Sequence, residues 1–138
     1  MRTEVLLDTG PLLAFLNRRD QYHQWAVSQW REIAPHLLTN ESVLSEATFL
    51  IEQAGGHSDM VLDLVARQIV HPAFSLSDHV EEVRKLLRKY RDVPMSLADG
   101  CLVRMSEVLS RGTIFTLEGD FRVYRRHGRK SIPLLTPA

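Results

Sequence analysis

The chain has 138 residues, 44% of them hydrophobic and 25% charged, and this size and balance favour a single compact domain over residues 1–138. A formal net charge of zero removes the simplest argument for a nucleic-acid-binding protein, and the lone Cys101 excludes an internal disulfide and a cysteine-rich zinc site. Glu4 and Asp8 interrupt the apolar start, which makes a poor signal peptide, and no apolar stretch is long enough to cross a bilayer. We therefore expect a soluble cytoplasmic protein with no membrane partner.

The first predicted element is a short strand at residues 4–7, followed by a turn and a helix. Asp8 stands at the carboxyl end of that strand, Thr9 can cap the helix, and Pro11 suits its first turn. Because ligands of open parallel sheets bind at the carboxyl ends of strands, Asp8 is a candidate ligand-binding acid. Taken alone, it is better explained as a helix cap.

Helices and strands alternate through the next part of the chain. A helix from Asp20 towards Pro35 precedes a strand at 36–39 and a helix at 42–54. On the second of these helices Glu46 falls at the boundary of the apolar face. From that position its side chain could point into a cleft at the edge of the core.

The pattern of alternation continues through the middle of the chain. A helix is predicted at 57–70, a weak strand at 71–75, and then a helix that Ser77 or Asp78 caps and that runs to about Tyr90. We interpret the apolar residues of both helices as the faces that pack on the core.

Ser96 and Asp99 open the next predicted helix, which runs to Arg111. Ser followed three residues later by an acid is the pattern of a capping box, in which both side chains satisfy free backbone N–H groups. Asp99 also lies just outside the apolar face, as Glu46 does, which makes it a candidate metal ligand at the mouth of a parallel sheet. Both interpretations of Asp99 stay open on this evidence.

The last predicted strands add further acids at the same kind of position. A strand at 113–116 is followed by a turn that carries Glu118 and Asp120 beyond its carboxyl end. The final strand is predicted at 131–135. Pro133 places it at an edge of the sheet, where a missing N–H costs little.

Alternating strands and helices predict an α/β fold with a mostly parallel sheet of about five strands and helices on both faces. Right-handed crossovers would collect several acids at the carboxyl edge of this sheet. They are Asp8, Asp99, Glu118 and Asp120, with Glu46 at the border. Such like charges repel unless a proton or a cation relieves them, and oxygen ligands without thiolates indicate Mg²⁺ or Mn²⁺. An ion of this kind suits phosphate binding and the activation of water for in-line hydrolysis.

Four stretches of the sequence resemble the acidic motifs of PIN-domain ribonucleases, and more narrowly those of the VapC-type toxins of bacterial and archaeal toxin-antitoxin modules. The stretches are residues 7–13, 39–46, 96–99 and 116–121. The resemblance covers essentially the whole chain. It implies a three-layer sandwich and a Mg²⁺- or Mn²⁺-dependent endoribonuclease that cuts single-stranded or structured RNA. It also implies a homodimer that a cognate antitoxin holds inactive.

The resemblance carries roles over to particular residues. It implies the catalytic acids Asp8, Glu46, Asp99 and Asp120, metal ligands that comprise these four and Glu118, and supporting hydroxyls on Thr9, Ser96 and Thr116. The last motif departs from the family pattern, because Glu118 stands where Asp or Asn is more usual. The sequence leaves open whether Glu118 or Asp120 completes the site.

Basic residues are concentrated in two runs, at 84–91 and 122–130. Each run is as well explained by a solvated surface as by a partner. The second run begins two residues after Asp120 and could line the path of an RNA backbone. Its candidate RNA-binding residues are Arg122, Arg125, Arg126, Arg129 and Lys130.

Other classes of site lack features that they require. A phosphate-binding loop needs a glycine-rich turn after the first strand, and residues 8–11 do not form one. A phosphatase of the haloacid dehalogenase kind needs a second Asp where this chain has Gly10. One alternative survives, namely a non-catalytic PIN-like module that binds RNA or protein.

Overall fold

A parallel five-stranded sheet lies at the centre of the computed structural model, which describes residues 1–109 and 111–137. The strands in chain order are β1 (Val5–Leu7), β2 (Leu37–Thr39), β3 (Val70–Pro72), β4 (Thr113–Phe115), β5 (Arg125–Arg126), β6 (Lys130–Ser131) and β7 (Leu134–Leu135). The order in the sheet is β3-β2-β1-β4-β7, and every pairing within it is parallel. Strands β5 and β6 form a separate antiparallel hairpin.

Helices cover both faces of this sheet. They are α1 (Thr9–Leu16), α2 (His23–Trp30), α3 (Glu41–Gln53), α4 (Asp59–Ala66), α5 (Val80–Lys89) and α6 (Leu97–Val108). Successive side chains of a strand point to opposite faces, and so the fully buried Leu6 and Leu7 of β1 belong to different cores. Leu7 packs in the core that contains side chains of α1 to α4, and Leu6 in the core that contains side chains of α5 and α6. The predicted three-layer α/β sandwich is confirmed. Among the described residues, no helix is both long and apolar enough to span a membrane.

Several helix boundaries differ from the prediction for local reasons. Asp8, rather than Thr9, caps α1, because its side chain accepts the N–H of Thr9. Helix α4 ends at Ala66 rather than near residue 70, because Gln68 adopts a left-handed backbone with φ of 61° and turns the chain into β3. Strand β3 consequently occupies Val70–Pro72 rather than residues 71–75.

The predicted final strand at 131–135 is two strands rather than one. Strand β6 pairs with β5 in the hairpin, whereas β7 pairs with β4 at the edge of the main sheet. Pro133 lies between them, and its carbonyl accepts the N–H of Ile114 at 2.9 Å. The predicted edge position is thus confirmed. The hairpin was not predicted, and its turn at residues 127–129 includes His127 and Gly128, which both have positive φ angles.

Helix α6 begins as predicted and ends early. Ser96 caps it in a capping box with Asp99, and the helix stops at Val108, with the N–H of Leu109 bonded to the carbonyl of Met105. The sequence predicted a helix that continues to Arg111. Ser110, on which part of that prediction falls, lies outside the described residues.

Candidate active site

A cleft of about 470 Å³ opens beyond the carboxyl ends of β1 and β4. Its lining comprises Asp8, Glu46, Pro94, Met95, Ser96, Ala98, Asp99, Glu118 and Asp120. All the acids that the sequence predicted at this edge therefore lie in one cleft. They come from four separate parts of the chain, and the parallel topology brings them together.

Asp8 is the most enclosed of these acids, with 2% of its surface exposed. Strand β1 is held to β4 at this point because the N–H of Asp8 donates to the carbonyl of Phe115 at 3.0 Å. One carboxylate oxygen accepts the N–H of Thr9 at 2.8 Å, and the other accepts the hydroxyl of Thr116 at 2.7 Å. Burial raises the pKa of Asp8 to about 6 against the opposing effect of these two hydrogen bonds, and repulsion from Asp99 and Glu46 adds to the rise.

Asp99 forms the predicted capping box and also lines the cleft. Its Oδ2 accepts the N–H of Ser96 at 3.1 Å, and its own N–H donates to Oγ of Ser96 at 3.0 Å, which completes the capping box. The same carboxylate lines the cleft and is 6% exposed. Burial raises the pKa of Asp99 against the hydrogen bonds from Ser96, and the charges of Glu46 and Asp120 raise it further.

Glu46 enters the cleft from α3. Its neighbour Ala47 is fully buried, whereas Glu46 itself is exposed, which is the boundary position that the helical pattern predicted. Helix α3 packs against α6, the helix of Asp99. The charge of Glu46 contributes to the raised pKa values of Asp8, Asp99 and Glu118.

Glu118 and Asp120 both line the cleft from the segment after β4. Asp120 lies in a short 3₁₀ turn, where its carbonyl accepts the N–H groups of Val123 at 2.9 Å and Tyr124 at 3.2 Å. Glu118 is exposed at the rim. Even so, loss of hydration on the cleft side of its carboxyl, together with repulsion from the other acids, raises the pKa of Glu118 to about 8.

The predicted supporting hydroxyls play different structural roles. Thr116 donates to Asp8 and accepts the N–H of Glu118 at 2.9 Å, so it links two acids of the cleft. Ser96 caps α6, because its Oγ accepts the N–H of Asp99. The buried hydroxyl of Thr9 has no hydrogen-bond partner within residues 1–109 and 111–137.

The residues that form the wall behind Asp99 were not predicted. Tyr124 is fully buried, and its hydroxyl donates to the carbonyl of Pro94 at 2.8 Å. Burial, and then repulsion from Asp99 and Asp120, raise the pKa of Tyr124. The signal in the sequence was the spacing of two aromatic residues, Phe121 and Tyr124, which lie three residues apart at the start of the basic run. Both side chains are fully buried in the structure.

The donor set of the cleft fits a hard divalent cation. Carboxylates and hydroxyls line it, and the lone thiol, on Cys101, is buried with its pKa raised to about 11 by that burial. In the part of the chain that the structure describes, no three acidic, histidine or cysteine side chains have already converged into a metal-binding group. A cation would offset the repulsion that raises the pKa values of Asp8, Asp99 and Glu118.

The predicted RNA-binding residues lie beside the cleft rather than in its lining. Arg126 is half-buried, and its guanidinium donates to the carbonyl of Ser106 on α6 at 3.1 Å. The guanidinium of Arg125 donates to the carbonyl of Arg122 at 2.6 Å. Arg129 and Lys130 are exposed in the hairpin. These last two have the accessibility that binding to a polyanion requires.

A cleft lined by carboxylates, at the carboxyl edge of a parallel sheet between two helical layers, defines an α/β protein with a site suited to divalent cations. The sequence matches the family model of the PIN domain over residues 5–126, and the chain belongs to this family.

One solved structure with the same fold is the crystal structure of VapC20 from Mycobacterium tuberculosis, described as a toxin that cleaves the sarcin-ricin loop. The two structures superpose with a TM-score of 0.78, at 21% sequence identity, over 86% of this chain and 93% of that one. Comparison of the sequence with curated proteins found no match.

Proposed function

We propose that this PIN-domain protein is a Mg²⁺- or Mn²⁺-dependent endoribonuclease. The observation that carries the proposal is the collection in one cleft of the acids from every predicted acidic motif, where the pKa values of Asp8, Asp99 and Glu118 are raised. Clustered carboxyl groups with raised pKa values are typical of functional sites. The cleft offers no activated nucleophile of its own, so hydrolysis of a phosphodiester needs an activated water.

The residues of this site have different roles. Asp8 is held in one orientation by hydrogen bonds to both of its oxygens, and Asp99 is held by Ser96. Glu46 lines the cleft from α3 and Asp120 from the turn after β4, and Glu118 adds a carboxyl at the rim. Bound among these carboxylates, Mg²⁺ or Mn²⁺ would activate a water for in-line attack and balance the charge of the phosphate. We assign Asp8, Glu46, Asp99 and Asp120 as the catalytic acids.

The biological setting is proposed from the likeness to VapC20. That protein is described as a toxin that cleaves the sarcin-ricin loop, and we infer that this chain is likewise the toxin of a toxin-antitoxin pair. Its partners would then be an RNA substrate, single-stranded or structured, a cognate antitoxin and a second copy of the chain in a homodimer. A cytoplasmic location follows from those partners.

Two glutamates of α3 provide a matched test of the proposal. Glu46 lines the cleft, whereas Glu41 lies exposed in the first turn of the same helix. We expect the wild type to cut RNA with Mg²⁺ or Mn²⁺ and not with EDTA. Glu46→Gln should reduce cleavage by about a hundredfold or more, a loss of roughly 2.7 kcal/mol in transition-state stabilisation. Glu41→Gln should cut at the wild-type rate.

Two results would contradict the enzyme proposal. Cleavage that continues in excess EDTA would exclude the metal-dependent mechanism, and equal cleavage by Glu46→Gln and the wild type would exclude this cleft. A wild type that binds RNA tightly and leaves it intact with either metal would favour the non-catalytic binding module instead.

A further inference from the structure

The two basic runs of the sequence meet in space. Lys85, Arg88 and Lys89 lie on the last turns of α5, and the turn of the hairpin β5–β6 lies next to that end of the helix. Nζ of Lys89 donates to the carbonyl of Gly128 in the hairpin turn at 2.6 Å. A hollow of about 260 Å³ lies between the two elements, lined by Glu82, Lys85, Leu86, Lys89, Glu107 and Gly128. We define the basic platform as Lys85, Arg88, Lys89, Arg129 and Lys130.

The acids near the platform are engaged with other groups. The Oε2 of Glu107 accepts the N–H of His127 at 2.7 Å, and its Oε1 accepts from Arg104 at 3.3 Å. Glu82 lies 3.9 Å from the same Arg104. Throughout residues 1–109 and 111–137, no carboxylate is within ion-pairing distance of any member of the platform. The platform therefore presents five positive side chains, none of them in an ion pair with a carboxylate of the described residues.

A chain of side-chain interactions fixes the platform relative to the cleft. The ring of Tyr90, which follows α5, meets the ring of Tyr124 at 5.0 Å between centroids, and its hydroxyl accepts the N–H of Arg125 at 2.8 Å. Tyr124 in turn donates to the carbonyl of Pro94, which lines the cleft. The cleft wall, the end of α5 and the start of the hairpin are thus joined to one another.

We propose that the basic platform binds the phosphate backbone of RNA outside the scissile bond. This inference rests on the proposed ribonuclease function. The cleft is lined by acids, which repel a polyanion, so affinity for RNA must come largely from positive charge elsewhere. Lys85 and Lys89 are one helical turn apart, about 6 Å along the axis, and lie on the same side of α5 as the hairpin turn. The contacts of Tyr90 and Tyr124 connect this surface to Pro94 at the wall of the cleft.

The test compares two double variants with the same change of charge. Lys85→Ala with Arg88→Ala removes exposed platform residues, and Arg18→Ala with Arg19→Ala removes exposed residues after α1, on the opposite face of the sheet. RNA affinity is measured in EDTA across a salt series. Cleavage with Mg²⁺ is measured on a long RNA and on the shortest RNA that the wild type cuts.

We expect the platform variant to bind the long RNA about tenfold less tightly at physiological salt. The slope of log K against log salt should fall by about 1.4, which is about 0.7 for each single-strand phosphate that the variant no longer neutralises. Its KM for the long RNA should rise while kcat and cleavage of the shortest RNA stay unchanged. The Arg18 and Arg19 control should match the wild type in every measurement.

Failure of the platform can be told apart from failure of the enzyme. If the wild type cuts RNA and the platform variant has the wild-type slope and KM, the platform assignment is wrong and the ribonuclease proposal stands. An equal loss of affinity in both variants would also overturn it, since total charge would then explain the effect. If the wild type cuts no RNA, the enzyme proposal fails, and the binding series in EDTA still decides whether the platform holds RNA.

Discussion

Thr116 donates its hydroxyl to Oδ2 of Asp8 across 108 residues of sequence, at 2.7 Å, and both side chains are buried. The same hydroxyl oxygen accepts the N–H of Glu118 at 2.9 Å. One side chain at the end of β4 therefore orients the acid that follows β1 and fixes the turn that carries Glu118. Thr116 acts on the site through its neighbours, which makes it a positioning residue.

Replacing Thr116 by Val should damage both the stability and the titration of the site. A hydrogen bond to a charged group contributes about 1.5–3 kcal/mol, and its loss leaves Asp8 and the N–H of Glu118 each short of a partner. Because that bond lowers the pKa of Asp8, its removal should shift the rising limb of the pH–rate profile to higher pH. Thr116→Ser should restore both properties.

The matched control for Thr116→Val lies on β4, the strand that Thr116 follows. Thr113 bonds its hydroxyl to the carbonyl of Arg111 at 3.4 Å, far from the cleft, so Thr113→Val should leave the pH profile unchanged. Urea unfolding and initial rates over a pH series measure both effects. A Thr116→Val protein with the wild-type profile would show that this hydrogen bond does not tune Asp8.

Asp99→Asn should leave the metal-free protein at least as stable as the wild type. An asparagine oxygen can still accept the N–H of Ser96, whereas the repulsion from Glu46 and Asp120 is removed. Stabilisation by added Mg²⁺ or Mn²⁺ should shrink, because a ligand stabilises only the folded state that binds it. RNA cleavage should be nearly abolished. Thermal unfolding with EDTA and with metal gives the comparison.

Asp59→Asn is the control for Asp99→Asn, because it removes an acid from the first turn of a helix outside the cleft. Asp59 lies in the first turn of α4, away from the cleft, so its replacement should destabilise the protein by about 0.3–1 kcal/mol with an unchanged response to metal. If Asp99→Asn behaved in the same way and still cut RNA, Asp99 would have a capping role alone.

Metal-free protein should lose stability as the pH rises through the range in which the cleft acids ionise. The pKa of Asp8 is 3.8 in an unfolded chain and about 6 here, so the folded state binds this proton more tightly. Below pH 3.8 Asp8 is protonated in both states and its ionisation does not affect the free energy of unfolding. Between pH 3.8 and about 6 the free energy of unfolding falls. Above the folded pKa the full cost is roughly 3 kcal/mol, at about 1.4 kcal/mol per pKa unit. Glu118 acts in the same direction from 4.5 up to about 8.

Variants assign this pH dependence to particular acids. Asp8→Asn should gain stability over the wild type as the pH rises from 3.8 to about 6 and keep that gain above 6, and Glu118→Gln should gain it over the wider range from 4.5 to about 8. Urea unfolding in EDTA at several pH values measures the difference. Parallel curves for the wild type and Asp8→Asn would mean that Asp8 ionises in the folded protein as it does in the unfolded chain.

The identity of the last acid can be decided by comparing Asp120→Asn with Glu118→Gln. Asp120 is fixed by two backbone hydrogen bonds to its carbonyl and contributes to the raised pKa of Asp99, whereas Glu118 lies exposed at the rim. We expect Asp120→Asn to abolish cleavage and Glu118→Gln to retain part of it with an altered pH profile. The opposite ranking of kcat would assign Glu118 as the fourth acid.

The fold was predictable because its signals are local. The capping box of Ser96 and Asp99, the proline edge at Pro133 and the boundary position of Glu46 each depend on a few neighbouring residues, and all three match the structure. The end of α4 was mispredicted because Gln68 takes a left-handed backbone without being a glycine. The hairpin turn was not predicted, although Gly128 gave a usable signal.

The parallel topology predicted that the acids would lie in one cleft, but it did not predict the side-chain contacts that surround them. The hydrogen bond between Tyr124 and Pro94, and that between Lys89 and Gly128, join residues 30 and 39 positions apart through side chains that no periodicity relates. The hydrogen bond between Arg126, a predicted RNA-binding residue, and the carbonyl of Ser106 on α6 was unpredictable for the same reason. The catalytic and RNA-binding roles themselves stay predictions until the variants are measured.

Strand β1 is the middle strand of the sheet, and its neighbour β4 comes more than a hundred residues later. While the chain is still being synthesised, Asp8 has neither Phe115 to bond its N–H nor Thr116 to orient its carboxylate. Such long-range pairings also form late in folding, because their loop-closure entropy must be overcome first. An enzyme that attacks RNA would thus remain inert on the ribosome that makes it until β4 and Thr116 had been synthesised and had paired with β1 and Asp8.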